Sequence, residues 1–306
     1  MSDIILHHYA LSPFSEKIRS MFGYTNMSWL SVNVREWPPR DLLTPLASSY
    51  RKIPVAQIGA DIFCDTKTIT PEISRLSSKP ELSIEECSSE VSAYLQEVEL
   101  EVFIAMIRCS TSFKLQRKVM QQMSFIDLLR LLWDRFKLSR DMAVDVGTRE
   151  DARMLVETHL TSLESRLCKS DYLFGSSVNI ADFATYHSLW FMYEQGEKPF
   201  VKNFPRVVEW FEKIKGFGIG HPDNITAKDA LNIAKNSEPR SIPNEHKEDH
   251  LIGRRVRVTP TDYSRLPVIG QLVGSTMHSW ILARNTPEAD ILHLHFPKQG
   301  FELQSH

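Results

Sequence analysis

The 306-residue chain is 42% hydrophobic and 24% charged, with 16 prolines and 12 glycines, which is the composition of a globular protein long enough for two or three domains. Its 36 Lys and Arg against 38 Asp and Glu leave a formal net charge of -2, which gives no electrostatic footing for a nucleic-acid or anionic-membrane partner. The four cysteines form no CxxC pair and no zinc spacing, and no apolar window reaches the ~18 residues of a membrane span, so the chain reads as a cytoplasmic protein of a reducing compartment.

In chain order, IILHHY at 4–9 is a short β-rich run, and SPFSEKIRSMFGY continues it with Phe14, Ile18, Met21 and Phe22 at helical spacing. WLSVNV at 29–34 is a second strand. REWPPRDLLTPLASSYRK then carries too many prolines and small polar residues for regular structure. IPVAQIGADIFC reads as two strands turning at Gly59-Ala60-Asp61, and TKTITPEISRLS as a closing helix, giving a small α/β domain over residues 1–80. Residues 83–235 change to long helical patterns, with further helices expected at 114–138, 148–168, 179–195 and 204–215. The polar, Pro-containing stretch 236–250 reads as a linker, and alternating apolar residues over 251–306 as a small antiparallel β domain, a partial barrel. The fold class is α+β multidomain.

Three short segments carry candidate chemistry. Ser12-Pro13 opens the first helix, with Ser12 suited to the N-cap and Pro13 to the first helical position, so structure alone accounts for both. Ser15 falls one turn further on. Ile53-Pro54 enters an otherwise β-rich run, where a trans proline marks a strand start and a cis proline would turn the Ile53 backbone toward a peptide-like ligand. Asp65-Thr66 stands where strand gives way to helix. Thr66 can cap that helix, or the pair can hold an α-amino acid group, with Asp65 on the ammonium and Thr66 and the helix N-H groups on the carboxylate.

In order and spacing these segments resemble the thioredoxin-like domain of the glutathione S-transferase superfamily. SPFSEKIR resembles its serine-type active-site stretch, RKIPV its cis-proline segment, and CDT its acidic-hydroxyl pair, with Asp65 and Thr66 replacing Glu and Ser. LFGSSVNIADFATYHSLW is similar to the family's helix-opening G-x-x-[ST]-x-A-D segment, with Asn179 in place of Ser or Thr, and FPRVVEWFEKI to its late helix, so the resemblance runs to about residue 220. It implies an all-helical second domain, a homodimer and glutathione as cofactor. Ser12 would hold the thiolate, with Ser15 the weaker candidate. Ile53 and Pro54 would pair with the tripeptide backbone, Asp65 and Thr66 would bind the γ-glutamyl end, and Lys52, with Arg51 or Arg40, would meet the glycine carboxylate. A small hydrophobic electrophile would lie near Phe103, Met106, Ile107 and residues 113–136.

Serine at both positions of S-P-F-S removes the cysteine that mixed-disulfide chemistry requires. A glutathione-dependent transferase and a non-catalytic binding or assembly protein of the same fold both remain open. So does a role for the terminal β region, through a protein partner or by closing over the site. His293 and His295 lie two apart on one strand face with no third ligand apparent, which names no metal.

Overall fold

The computed structural model describes residues 3–110, 117, 125–141 and 147–306. The chain opens with β1 (Ile5–His8), α1 (Pro13–Tyr24) and β2 (Ser28–Asn33), and the proline-rich stretch holds one short helical turn, α2 (Thr44–Ala47). The hairpin β3 (Val55–Ile58) and β4 (Asp61–Cys64) follows, then α3 (Thr66–Ser77). Strands β2 and β1 pair in parallel, β1 and β3 antiparallel, and β3 and β4 antiparallel, which completes the expected thioredoxin-like unit.

The helical unit begins with α4 (Ser89–Glu97), a π-helical turn at Val98–Val102 and α5 (Phe103–Ser110). It continues with α6 (Phe125–Asp141), α7 (Arg149–Leu167), α8 (Ile180–Leu189) with a second π-helical turn at Trp190–Gln195, and α9 (Pro205–Lys215). Of the helix expected at 114–138, residues 114–116 and 118–124 lie outside the described residues. The start of α8 is a capping box as its sequence indicates: Asn179 Oδ1 accepts from Ala181 N at 2.9 Å and Asp182 Oδ2 from Asn179 N at 2.9 Å. Asp182 also accepts from Trp210 Nε1 at 2.8 Å, which ties α9 to α8.

The last third of the chain joins the first. Strand β5 (His221–Asn224) pairs in parallel with β2, and α10 (Ala227–Lys235) follows it, buries Ala230 and Ala234, and packs against β2, so 221–235 sits with the sheet rather than with the helices. Strands β6 (Arg255–Pro260), β7 (Val268–Ser275), β8 (Ser279–Thr286), β9 (Asp290–Pro297) and β10 (Phe301–Ser305) form the expected antiparallel region. Its β9 pairs in parallel with β4, giving one ten-stranded sheet in the order β10-β6-β7-β8-β9-β4-β3-β1-β2-β5. An edge strand left open at β4 would expose a row of unpaired backbone groups, and β9 supplies their partners.

The cores follow this continuity. One apolar cluster joins Leu46, Tyr50, Ile62 and Cys64 of the first unit to Val258, Leu272, Leu294 and Phe296 of the β region. A larger one runs from Leu6, Ile18 and Phe22 through α4, α5, α7, α8 and α9. The 236–250 connection is docked rather than free. Its Arg240 backbone N-H donates to Asp61 Oδ2 at 2.9 Å, and the guanidinium reaches Glu72 at 2.6 Å. His295 Nε2 meets Asp61 Oδ1 at 2.7 Å and stacks on Phe63, so this histidine serves the seam between the two regions.

Candidate functional site

A cavity of about 350 Å³ opens between the sheet and the helical unit. That lies at the small end of the ~300–1,000 Å³ range of small-molecule sites. One wall holds Lys52, Ile53 and Pro54 with the start of α3, Asp65 to Lys67. The helical unit contributes Leu95, Glu99, Leu100, Phe103 and Ile104, and the β region contributes Thr261, Asp262, Tyr263, Gln299 and Gly300.

The Ile53-Pro54 peptide is cis, and both residues line the cavity. Asp65, not Thr66, caps α3: its Oδ1 accepts from Lys67 N at 3.1 Å, and Thr66 becomes the first helical residue. The capping reading of Thr66 therefore moves one residue back. Asp65 holds φ 86 and ψ 146, a region sparsely populated by residues other than glycine and costing roughly 1–3 kcal/mol. Tyr50 OH donates to the other carboxylate oxygen at 3.4 Å. The positive pole of α3 lies at this end of the cavity, where Thr66 and Lys67 line it, while the Thr68 and Ile69 N-H groups donate to the Asp65 carbonyl at 3.1 and 3.3 Å.

Ser12 is the N-cap of α1, its Oγ accepting from Ser15 N at 3.2 Å. It is 1% exposed and, like Ser15, lies off the cavity wall, whereas Phe14 between them lies on it. Ser15 Oγ is buried without a hydrogen-bond partner among the described residues. Behind Phe14, the buried His187 ring sits 4.9 Å from it and 5.6 Å from Phe103, and burial followed by the nearby Lys17 charge pushes His187 down to about 4. Lys17 pairs with Glu99 on the π-helical turn. Burial pushes the Glu99 carboxyl up, but Lys17 and Lys67 outweigh it and hold the group below its usual range.

The basic candidates divide. Lys52 Nζ lies on the cavity wall, in an ion pair with Asp262 at 2.6 Å. Arg51 forms a bidentate pair with Asp134 of α6 at 2.6 and 2.8 Å. Arg40 donates to the carbonyls of Arg35, Glu36 and Arg51 and clasps its own loop away from the cavity; burial lowers it to about 10. Of the apolar candidates, Phe103 lines the cavity, Met106 is buried in the core, and residues 113–116 and 118–124 lie outside the described residues. Sequence reasoning missed Tyr50, Glu99 and the whole β-region wall. Asp262 stands in a polar loop 210 positions from Lys52, and no local pattern marks it.

A thioredoxin-like unit with a cis-proline wall, joined to a helical unit across a shared cavity, defines the class. Comparison with known proteins agrees: residues 6–81 match the glutathione S-transferase N-terminal domain and residues 148–217 its C-terminal domain. The chain belongs to the glutathione S-transferase superfamily. It is similar over the full length of both chains to a GST-like protein from Pseudomonas syringae, at 28% identity and a TM-score of 0.80, so the β region is part of a shared architecture. FtsZ-localized protein A of Caulobacter vibrioides is 24% identical over 219 residues, covering 69% of this chain and 86% of that protein. A glutathione transferase family member from Pseudomonas fluorescens, solved with two glutathione bound, is 16% identical over 71% of this chain and 93% of that one, with a TM-score of 0.49.

Proposed function

We propose that the cavity binds glutathione and that the protein uses the bound thiol on a small hydrophobic electrophile. The observation that supports this reading is the convergence on one cavity of Ile53-Pro54, the Asp65-Thr66 start of α3 and Lys52, opposite an apolar wall of Leu95, Leu100, Phe103 and Ile104. In this reading Asp65 takes the γ-glutamyl ammonium, while Thr66 and the α3 N-H groups take its carboxylate. Ile53 pairs with the peptide backbone. The thiol then faces the start of α1. A free thiol of pKa ~8.5 is a few per cent ionised at neutral pH, so a two-unit fall multiplies the nucleophile more than tenfold. Ser12 can supply that fall because its Oγ already accepts from Ser15 N, which leaves its own proton for a thiolate. The α1 N-terminus favours the anion as well. A homodimer belongs to the same reading.

A second reading, ligand binding or assembly without turnover, is favoured by the 1% exposure of Ser12 and its position off the cavity wall. The relative named for its localisation with FtsZ points the same way. Calorimetric titration with glutathione, followed by an aryl-halide conjugation assay, separates the two. Saturable millimolar or tighter binding with turnover, both reduced in Ser12→Ala along with the ultraviolet signature of bound thiolate, is the expected result. Binding without turnover selects the second reading, and no binding at millimolar ligand removes glutathione from both.

A further inference from the structure

The end of the cavity that would receive a ligand's terminal carboxylate is already occupied by a carboxylate of the chain itself. Lys52 Nζ donates to both oxygens of Asp262, at 2.6 and 2.7 Å, and lies 4.4 Å from the centre of the Tyr263 ring. The pair is well sheltered: the Lys52 side chain is 9% exposed and that of Asp262 32%. The loop that presents Asp262 is fixed at both ends, by the Thr261 N-H donating to the Gly300 carbonyl at 3.0 Å and by Ser49 Oγ donating to the Pro267 carbonyl at 2.5 Å, and the Tyr263 N-H donates to Asp262 Oδ1 at 2.8 Å.

A γ-glutamyl thiol peptide seated on Ile53 and Asp65 brings its carboxy-terminal end to Lys52. There a free carboxylate meets an ammonium that is already neutralised and a fixed negative charge beside it. Binding must then break a bidentate, partly buried ion pair or hold two carboxylates together, and both weaken the complex. A peptide ending in a carboxamide carries no charge at that position, and its N-H groups are donors that Asp262 can accept.

We propose that Asp262 is a specificity-determining residue that makes this cavity select γ-glutamyl thiol peptides with an uncharged, amidated carboxy-terminal end over free glutathione. The proposal rests on the glutathione-site reading above. It assigns the β region a role in recognition at the site as well as in covering the β4 edge.

The test titrates the full chain and its Asp262→Asn variant with glutathione and with the C-terminal carboxamide of glutathione. The wild-type chain is expected to bind the carboxamide about tenfold or more tightly than the free acid. Asp262→Asn keeps an oxygen for the Tyr263 N-H and frees the Lys52 charge, so glutathione is expected to tighten about fivefold or more while the preference shrinks or inverts. Equal or tighter binding of free glutathione by the wild-type chain overturns the proposal without needing the variant. A substitution that shifts both ligands by the same factor overturns it as well. If either protein binds one of the ligands, the glutathione-site reading survives such a result; if neither ligand binds either protein, that reading falls and the proposal falls with it.

Discussion

Asp65 carries two duties that a substitution can separate. Its side chain caps α3, its charge faces the cavity, and its backbone holds φ 86 where glycine is the residue at ease. Replacing it by Ala removes the cap while keeping the strained backbone, which should cost about 1–2 kcal/mol. Replacing it by Gly costs only a few tenths for the cap and about 0.5–1 kcal/mol in chain entropy, but relieves roughly 1–3 kcal/mol of strain. Asp65→Gly should therefore unfold at about the same or higher urea concentration than the wild-type chain, with a gain of up to about 2 kcal/mol, while glutathione affinity falls about tenfold or more. An Asp65→Gly chain destabilised by about 1 kcal/mol or more would show that the backbone there is not strained. Undiminished binding would show that the carboxylate does not serve the ligand.

At the scale of elements, most of the first 220 residues could be read locally because their signals are local. Ser12-Pro13 at the start of α1 and the Asn179/Asp182 box at the start of α8 are contained within four residues, and apolar spacing marks the faces of the helices between them. Strand β5 could not be read that way. Its sequence, His-Pro-Asp-Asn, has low strand preference and pairs with β2 because the tertiary fold brings it there, with Ser28 opposite His221 and Ser31 opposite Asn224. The cavity was half legible for the same reason. Ile53-Pro54 and Asp65-Thr66 announce themselves, whereas Asp262 and Tyr263 reach the site through a pairing of β4 with β9 that no spacing encodes. That pairing has a testable consequence. Truncation after residue 240 would strip the partner from β4 and open the cluster that Tyr50, Ile62 and Cys64 share with Leu272, Leu294 and Phe296. We expect the truncated chain to aggregate or to lose cooperative unfolding, as judged by size-exclusion chromatography and thermal melting. A monodisperse fragment melting like the full chain would make the β region an independent appendage.

At the scale of the whole molecule, buried titratable groups set how stability answers to acid. Burial pushes His7, His159 and His187 down to about 4 each and His8 down to about 3, with the Gln57 hydrogen bond too weak to reverse it at His7 and the Arg166, Lys17 and Arg19 charges reinforcing it at His159, His187 and His8. As pH falls from 6.5 toward 4, the unfolded chain takes up these four protons before the folded one, so stability is lost across that window. Asp182 acts in the opposite sense. Burial raises it to about 6, against the hydrogen bonds from Asn179, Leu173 and Trp210, so the folded chain protonates first and stability is gained between about pH 6 and 3.8. Four protons against one leave a net loss of roughly three protons' worth, or about 4 kcal/mol per pH unit between about pH 6 and 4. A domain stable by about 5–15 kcal/mol would spend much of that margin by pH 4. Urea midpoints at pH 7, 6, 5 and 4 should show the slope, and a flat profile would mean that the histidines find partners or water that burial denies them here. Substituting His187→Phe isolates one contribution. His187 sits among the Phe14 and Phe103 rings, so the aromatic packing is largely kept while one titrating group is removed. Whatever it does to stability at pH 7, the variant should flatten the acid slope by about 1.4 kcal/mol per pH unit, because slope counts protons and not contacts.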